Sequence, residues 1–202
     1  MSGNLFIVCA PSGGGKTSLV SELLRADPGV KLSVSYTTRP PRPGEADGRD
    51  YHFVSEQRFW QLLEHGDLLE SARVHGHHYG TSQSWVAEHR AAGDDILLEI
   101  DWQGAAQIRR LIPEAVGIFI LPPSFETLVA RLNKRAQDAP DVIARRLAAA
   151  REEISHAGEF DYVIINSDFE EAVRDLIAIV RAQRLRGDAQ LARHHQLLNR
   201  MK

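Results

Sequence analysis

Cysteine is almost absent: Cys9 is the single one among 202 residues. No disulfide within the chain and no cysteine-based metal site can form, which suits a reducing compartment. Lysine is scarce too. Lys16, Lys31, Lys134 and Lys202 are the whole set, so the basic side chains are mostly arginine. A formal net charge of −3 gives no global electrostatic case for nucleic acid. No apolar run approaches a membrane span. Met1–Asn4 shows no basic leader and no cleavage site. The expectation is a cytoplasmic protein with no membrane and no nucleic-acid partner. Zinc chemistry is poorly served: His75, His77 and His78 crowd one turn, but no HExxH helix or cysteine joins them. They are expected to be exposed loop histidines, like His194 and His195. Repeats and low-complexity tracts are absent as well. The length allows one core, or one core with a small inserted lobe.

What is present begins with Ala10-Pro11-Ser12-Gly13-Gly14-Gly15-Lys16-Thr17. It follows the apolar run Leu5–Cys9 and precedes a helical pattern from Ser18. Strand, glycine-rich loop, lysine, hydroxyl residue and helix form the order of a phosphate-binding loop. Consecutive glycines let backbone N–H groups curl around a polyphosphate. The helix N-terminus adds partial positive charge at the same point. Lys16 supplies a full charge, and Thr17 offers a hydroxyl to a magnesium ion. Ala10 stands where the first glycine is usual.

Asp95–Asp101 is a buried-type strand ending in acid. Ligands gather at the carboxyl ends of parallel strands, so Asp101 is expected near the phosphate loop. There it either helps hold magnesium, directly or through water, or caps the following helix. Further strands are expected at 116–121 and 161–166, and one near 32–36. With alternating helices they make a parallel α/β sheet with right-handed crossovers. Ser167–Glu170 fits a capping box for the closing helix, and the chain from about 186 on reads as a frayed helical tail.

Two arginine groupings stand out. Arg39 and Arg42 sit on a loop stiffened by Pro40, Pro41 and Pro43, which suits either anion recognition or a plain surface turn. Arg131, Arg135, Arg145 and Arg146 flank a helix-loop-helix that is either a hinged phosphoryl cover or a solvated helical face.

Taken together, these motifs resemble the guanylate kinase family of nucleoside monophosphate kinases. The resemblance runs from about residue 5 to 185. Its most specific part is Ser35-Tyr36-Thr37-Thr38-Arg39-Pro40-Pro41-Arg42-Pro43-Gly44-Glu45, followed by Gly48–Phe53. Glu70, Tyr79-Gly80-Thr81, Glu99–Gly104, Arg131–Arg135, Ile143–Leu147 and Asn166 also match. Ala136 departs from it, standing where a lid glycine is common.

The resemblance implies a phosphate-loop NTPase sheet forming one domain over 1–202. Its core is 1–32 and 83–202, with a mixed α/β GMP-binding lobe at about 33–82 and a helical lid at about 131–150. It implies that Ala10–Ser18, with Lys16 and Thr17, and Asn166 bind ATP. Arg39, Arg42, Tyr51 and Tyr79 take the GMP phosphate; Ser35, Glu70 and Thr81 belong to the base site, with Asp101 nearby. Lys16, Arg39, Arg131, Arg135 and Arg146 form the transfer set. The implied reaction moves the γ-phosphoryl of ATP to GMP, or dGMP, with magnesium. Two other classes are weighed: a sugar-phosphate kinase acting on ribose bisphosphate, and a non-catalytic interaction module. The complete run Gly13–Thr17 argues against the second, and pairing Ser35 with Glu70 argues for a base over a sugar.

Overall fold

The computed structural model describes residues 2–134 and 140–201, with side chains for 2–133 and 147–201. In order, the elements are β1 Leu5–Cys9, α1 Lys16–Ala26, β2 Val30–Leu32, β3 Tyr36–Thr37, β4 His52–Phe53 and α2 Glu56–Glu64. Then come β5 Leu68–Val74, β6 His77–Ser82, α3 Gln83–Ala92, β7 Asp95–Glu99, α4 Trp102–Leu111 and β8 Val116–Leu121. The chain continues with α5 Phe125–Lys134, α6 Pro140–Ser155, β9 Tyr162–Ile165, α7 Phe169–Arg184, α8 Gly187–Arg193 and α9 His195–Arg200.

Five parallel strands form the main sheet in the order β2-β7-β1-β8-β9. β1 is buried along its whole length because strands flank it and helices cover both faces. Side chains alternate across a strand. Phe6 and Val8 therefore face Leu19, Val20 and Leu23 of α1 and Leu176 and Val180 of α7. Leu5, Ile7 and Cys9 face Val86 of α3 and Ala105 and Ile108 of α4. Each fully buried Val, Leu, Ile or Phe among them contributes roughly 1.5–3 kcal/mol. The amino end of β7 is tied down by Arg184, which pairs with both Asp27 and Asp95.

A second sheet has the order β4-β3-β6-β5 and mixes parallel and antiparallel pairs. Phe59 and Leu62 of α2 pack with Leu68 beneath it. β5 and β6 form a hairpin closed by His75 and Gly76, whose φ angles of 50° and 88° suit a tight two-residue turn. His77 and His78 are not exposed loop residues: both lie on β6, half-buried, and the His78 ring lies against Phe59 and Trp60. Among the described residues no cluster of His, Cys, Asp and Glu is arranged to hold a metal. No helix there is long and apolar enough to cross a membrane.

Two further local expectations differ from the structure. The strand read at 32–36 is two strands in different sheets. Val30–Leu32 pairs with β7, and Tyr36–Thr37 pairs with β4 and β6. Hydrophobic alternation carried straight through the crossing and hid it. The closing helix is capped by Asp168, which accepts the Glu171 N–H, so the cap lies one residue later than the Ser167–Glu170 box. The tail is helical and forms α8 and α9.

Candidate active site

The phosphate loop turns from β1 into α1 with Gly13 and Gly15 at positive φ (89° and 97°). At Gly15 the backbone is also crowded: a Cβ there would sit 2.4 Å from Asn166 Nδ2. Gly15 caps α1 without a side chain, and no acid occupies the first turn. The N–H groups of that turn therefore remain available to an anion. Lys16 lies at the start of α1, and its Nζ donates to Ile100 O at 3.0 Å. That contact brings the cation to the carboxyl end of β7.

Across from the loop, the second sheet contributes the opposite wall of a cleft of about 240 Å³. Residues 10–18 line it, together with Ser35, Arg39, Arg42, Tyr51, Glu70, Tyr79, Glu99, Asp101 and Glu153. Arg39 is only 8% exposed. Its Nη2 donates to both Glu45 oxygens at 2.8 and 2.9 Å and its Nη1 to Pro40 O. The Tyr51 ring lies 5.3 Å from the guanidinium carbon. Burial, then the charge of Glu99, pushes the Tyr51 phenol up to about 12, so it stays a donor at neutral pH.

Glu70 sits deeper, 3% exposed on β5. It is not solvent-facing although β5 is an edge strand. Thr81 Oγ1 donates to Glu70 Oε1 at 2.7 Å. Burial raises the Glu70 carboxyl to about 7; the Thr81 hydrogen bond opposes this and the nearby Asp101 charge adds to it. The cleft thus joins a glycine-capped helix terminus to a pocket holding one buried carboxyl group.

The guanylate kinase family model matches residues 2–183. The guanylate kinase of Methylobacillus flagellatus is 63% identical over 201 residues, covering 100% of both chains. That of Dechloromonas aromatica is 58% identical, again covering 100% of both. The chain belongs to the guanylate kinase family. The solved guanylate kinase of Anaplasma phagocytophilum superposes with a TM-score of 0.77 at 35% identity, over 92% of this chain and 88% of that one.

The resemblance placed guanylate kinase roles on residues that the fold distributes unevenly. Thr81 is buried behind Glu70 and reaches the cleft through it. Asn166 lies behind the phosphate loop, where its Nδ2 donates to Gly14 O at 3.0 Å. Arg131 leans on the same place: its Nη2 donates to Asn166 O at 3.2 Å and its Nη1 to Gly14 O. Arg135 and Ala136 lie outside the described residues, as do the side chains of Arg145 and Arg146.

For a hard cation the oxygen pair is Thr17 Oγ1 and Glu99 Oε1, 2.5 Å apart. A hydroxyl beside a carboxylate fits magnesium, which keeps few protein ligands and takes the rest from water and phosphate. Asp101 lines the cleft, but its Oδ1 accepts the Gly104 N–H and its Oδ2 accepts from Gln103. It caps α4, so the carboxylate meeting Thr17 is Glu99, not Asp101. Glu99 and Asp101 both stand at the carboxyl end of β7, and a strand-end pattern does not distinguish which of them meets Thr17.

Glu153 of α6 was missed as well. Its Oε2 accepts the Ser12 N–H at 3.1 Å. Burial raises its carboxyl, against the pull of that N–H and of Lys16. Among the acids of a long helix it carries no sequence signal.

Proposed function

We propose that this chain transfers the γ-phosphoryl group of ATP to GMP, giving ADP and GDP. The observation that carries the reading is the single cleft in which a phosphate loop faces Arg39, Arg42, Tyr51, Tyr79 and the buried Glu70. Residues 33–82 act as the GMP-binding lobe, with 1–32 and 83–202 as core, and 131–150 as lid. The ATP phosphates lie on the N–H groups of 13–18, with Lys16 at the outer phosphates. Arg39, Arg42 and the phenols of Tyr51 and Tyr79 hold the GMP phosphate. Ser35 and Glu70 hold the guanine side, with Thr81 behind Glu70 and Asp101 nearby. Thr17 and Glu99 would hold magnesium, which when bound neutralises charge on the ATP phosphates.

A GMP phosphate oxygen attacks the γ-phosphorus. The bond to the β–γ bridging oxygen breaks, and ADP leaves with the electron pair. Little covalent work falls to the protein; positioning and charge neutralisation carry the rate. Lys16, Arg131, Arg135 and Arg146 supply that neutralisation beside Arg39. dGMP, which carries the same base and phosphate, is a second acceptor in this reading. Nucleic acid and membranes are not partners, and the cytoplasm is the place of action. Product analysis tests the reading: GDP and ADP should appear in equal amounts, only with ATP, GMP and magnesium together. Release of free phosphate without GDP would contradict it.

Arg42 is exposed and stands on the proline-stiffened loop. Arg42→Ala is expected to raise KM for GMP by about ten- to hundred-fold, the value of one charge-assisted phosphate bond. KM for ATP should stay near wild type. An equal rise in both, measured by steady-state kinetics, would remove Arg42 from the GMP side. Arg39→Ala is harsher, because it also strands Glu45 without its bidentate partner.

The Glu70 carboxyl adds a pH dependence. In the free protein the neutral acid is the favoured buried form. Its contribution to stability is full below the ordinary 4.5 and is lost as pH rises through about 7. Guanine reverses the preference, because its N1–H and 2-amino donors favour the carboxylate. GMP affinity is therefore expected to rise about ten-fold between pH 6 and pH 8, with proton release near neutrality. The GMP phosphate itself ionises near pH ~6, so the quantity compared is the difference from Glu70→Gln. Calorimetry in buffers of different ionisation enthalpy measures it. Equal proton release in the two proteins would contradict the assignment.

A further inference from the structure

The wall behind Glu70 is not neutral packing. β5 is an edge strand, and its outer side meets α4 instead of another strand. Gln107 takes the place of the missing neighbour. Its Oε1 accepts the Ser71 N–H at 3.2 Å, and its Nε2 donates to Ser71 O at 2.8 Å. Both free backbone groups of Ser71 are satisfied by that one side chain, which pins the strand to the helix one residue beyond Glu70.

One turn earlier on the same helix is Gly104. Positions three apart share a helix face, so Gly104 lies under Glu70 where Gln107 lies under Ser71. A Cβ at 104 would sit 2.4 Å from Glu70 Oε2 and 3.1 Å from its Cδ. The glycine's N–H is held by Asp101 Oδ1 at 3.0 Å, and the strand is held by both Gln107 bonds. The carboxyl, at the end of a flexible side chain, is the group that gives most easily. Moving it breaks the Thr81 hydrogen bond that fixes its other oxygen.

We propose that Gly104 is a specificity-determining position: its missing side chain makes room for the Glu70 carboxylate, and Gln107 holds the strand at the distance where that room is needed. The role is positional, since Gly104 offers no side chain to a substrate. It rests on the reading of Glu70 as the guanine-recognising group. Any side chain at 104 turns the carboxylate out of line with two adjacent donors, whereas adenine, which offers neither, loses nothing.

Gly104→Ala is the direct test, read beside Glu70→Gln and the double variant. Alanine is the better helix former, so a folded protein is expected, and a thermal melt checks it. KM for GMP should rise about ten- to hundred-fold while KM for ATP stays within about two-fold. The kcat/KM for AMP should hardly change, so the GMP-to-AMP ratio narrows. The double variant should bind GMP no worse than Glu70→Gln alone, because both changes act through one carboxylate. A GMP KM within about two-fold of wild type, or fully additive losses, overturns the proposal. Should Gly104→Ala not fold, Gln107→Ala loosens the same strand and must also raise KM for GMP without raising KM for ATP; failure to do so overturns the proposal equally. A Glu70→Gln protein with wild-type GMP affinity would instead remove the reading of Glu70. Loss in Glu70→Gln beside no loss in Gly104→Ala removes only the role given to Gly104.

Discussion

Lys16→Met is expected to lower kcat by at least about 10²–10³-fold, the usual cost of removing one preorganised charge from a developing anion. The position carries the expectation. Lys16 opens α1, so its backbone N–H belongs to the anion-binding turn and survives the substitution. Only the ammonium is lost. That group stands at the carboxyl end of β7, held by Ile100 O. In phosphoryl transfer charge spreads onto the γ-phosphoryl oxygens as the bond to ADP loosens. A fixed cation there is worth more in the transition state than in the ground state, so kcat falls more than ATP binding does. The fold should persist. The ammonium makes one charge-assisted hydrogen bond to a backbone carbonyl, worth roughly 1.5–3 kcal/mol before solvent screening, and it packs no part of the core. A folded Lys16→Met protein with near wild-type kcat would contradict the role.

Glu70→Gln is expected to collapse base discrimination. Guanine presents two adjacent donors, N1–H and the 2-amino group, and one carboxylate can accept both. Adenine has an acceptor at N1 and no 2-amino group. Sites built around a substrate's hydrogen bonds discriminate by about 10⁴–10⁵, because the wrong ligand leaves a buried polar group unpaired. Glu70 meets that condition, being 3% exposed with Thr81 on one oxygen. Glutamine keeps the shape but puts an amide donor against a guanine donor, and it can donate to adenine N1. The GMP-to-AMP ratio of kcat/KM should therefore fall by at least about a hundred-fold. Selectivity in the wild-type protein should widen as pH rises through about 7, since the protonated acid can also donate to adenine. If calorimetry finds GMP bound as tightly by Glu70→Gln as by wild type, Glu70 does not read the base.

The main sheet was legible because its strands are short apolar runs between helical patterns, a signal that parallel burial imposes directly. The phosphate loop was legible because glycine, lysine and threonine are needed at fixed offsets. Local signals failed where two elements met. Ser33 to Ser35 join two sheets, yet their alternation looks like one strand. Asp101 and Glu99 stand two residues apart, and only the fold decides that one caps α4 while the other meets Thr17. Glu153 reaches Ser12 across 141 positions of sequence. Gly104 of α4 lies against the Glu70 carboxyl of β5, a contact with no local signal. In each case the partner is remote in the chain, and pattern along the chain carries no distance.

Acceptor choice is the most direct test of the whole account. The purified protein is assayed for ADP release from ATP and magnesium, with GMP, AMP, UMP, CMP and ribose bisphosphate each as acceptor. GMP should give a kcat/KM above every other acceptor by several orders of magnitude, reaching about 10⁴ over AMP. Equal turnover of GMP and AMP, or turnover of ribose bisphosphate without turnover of GMP, would contradict the account.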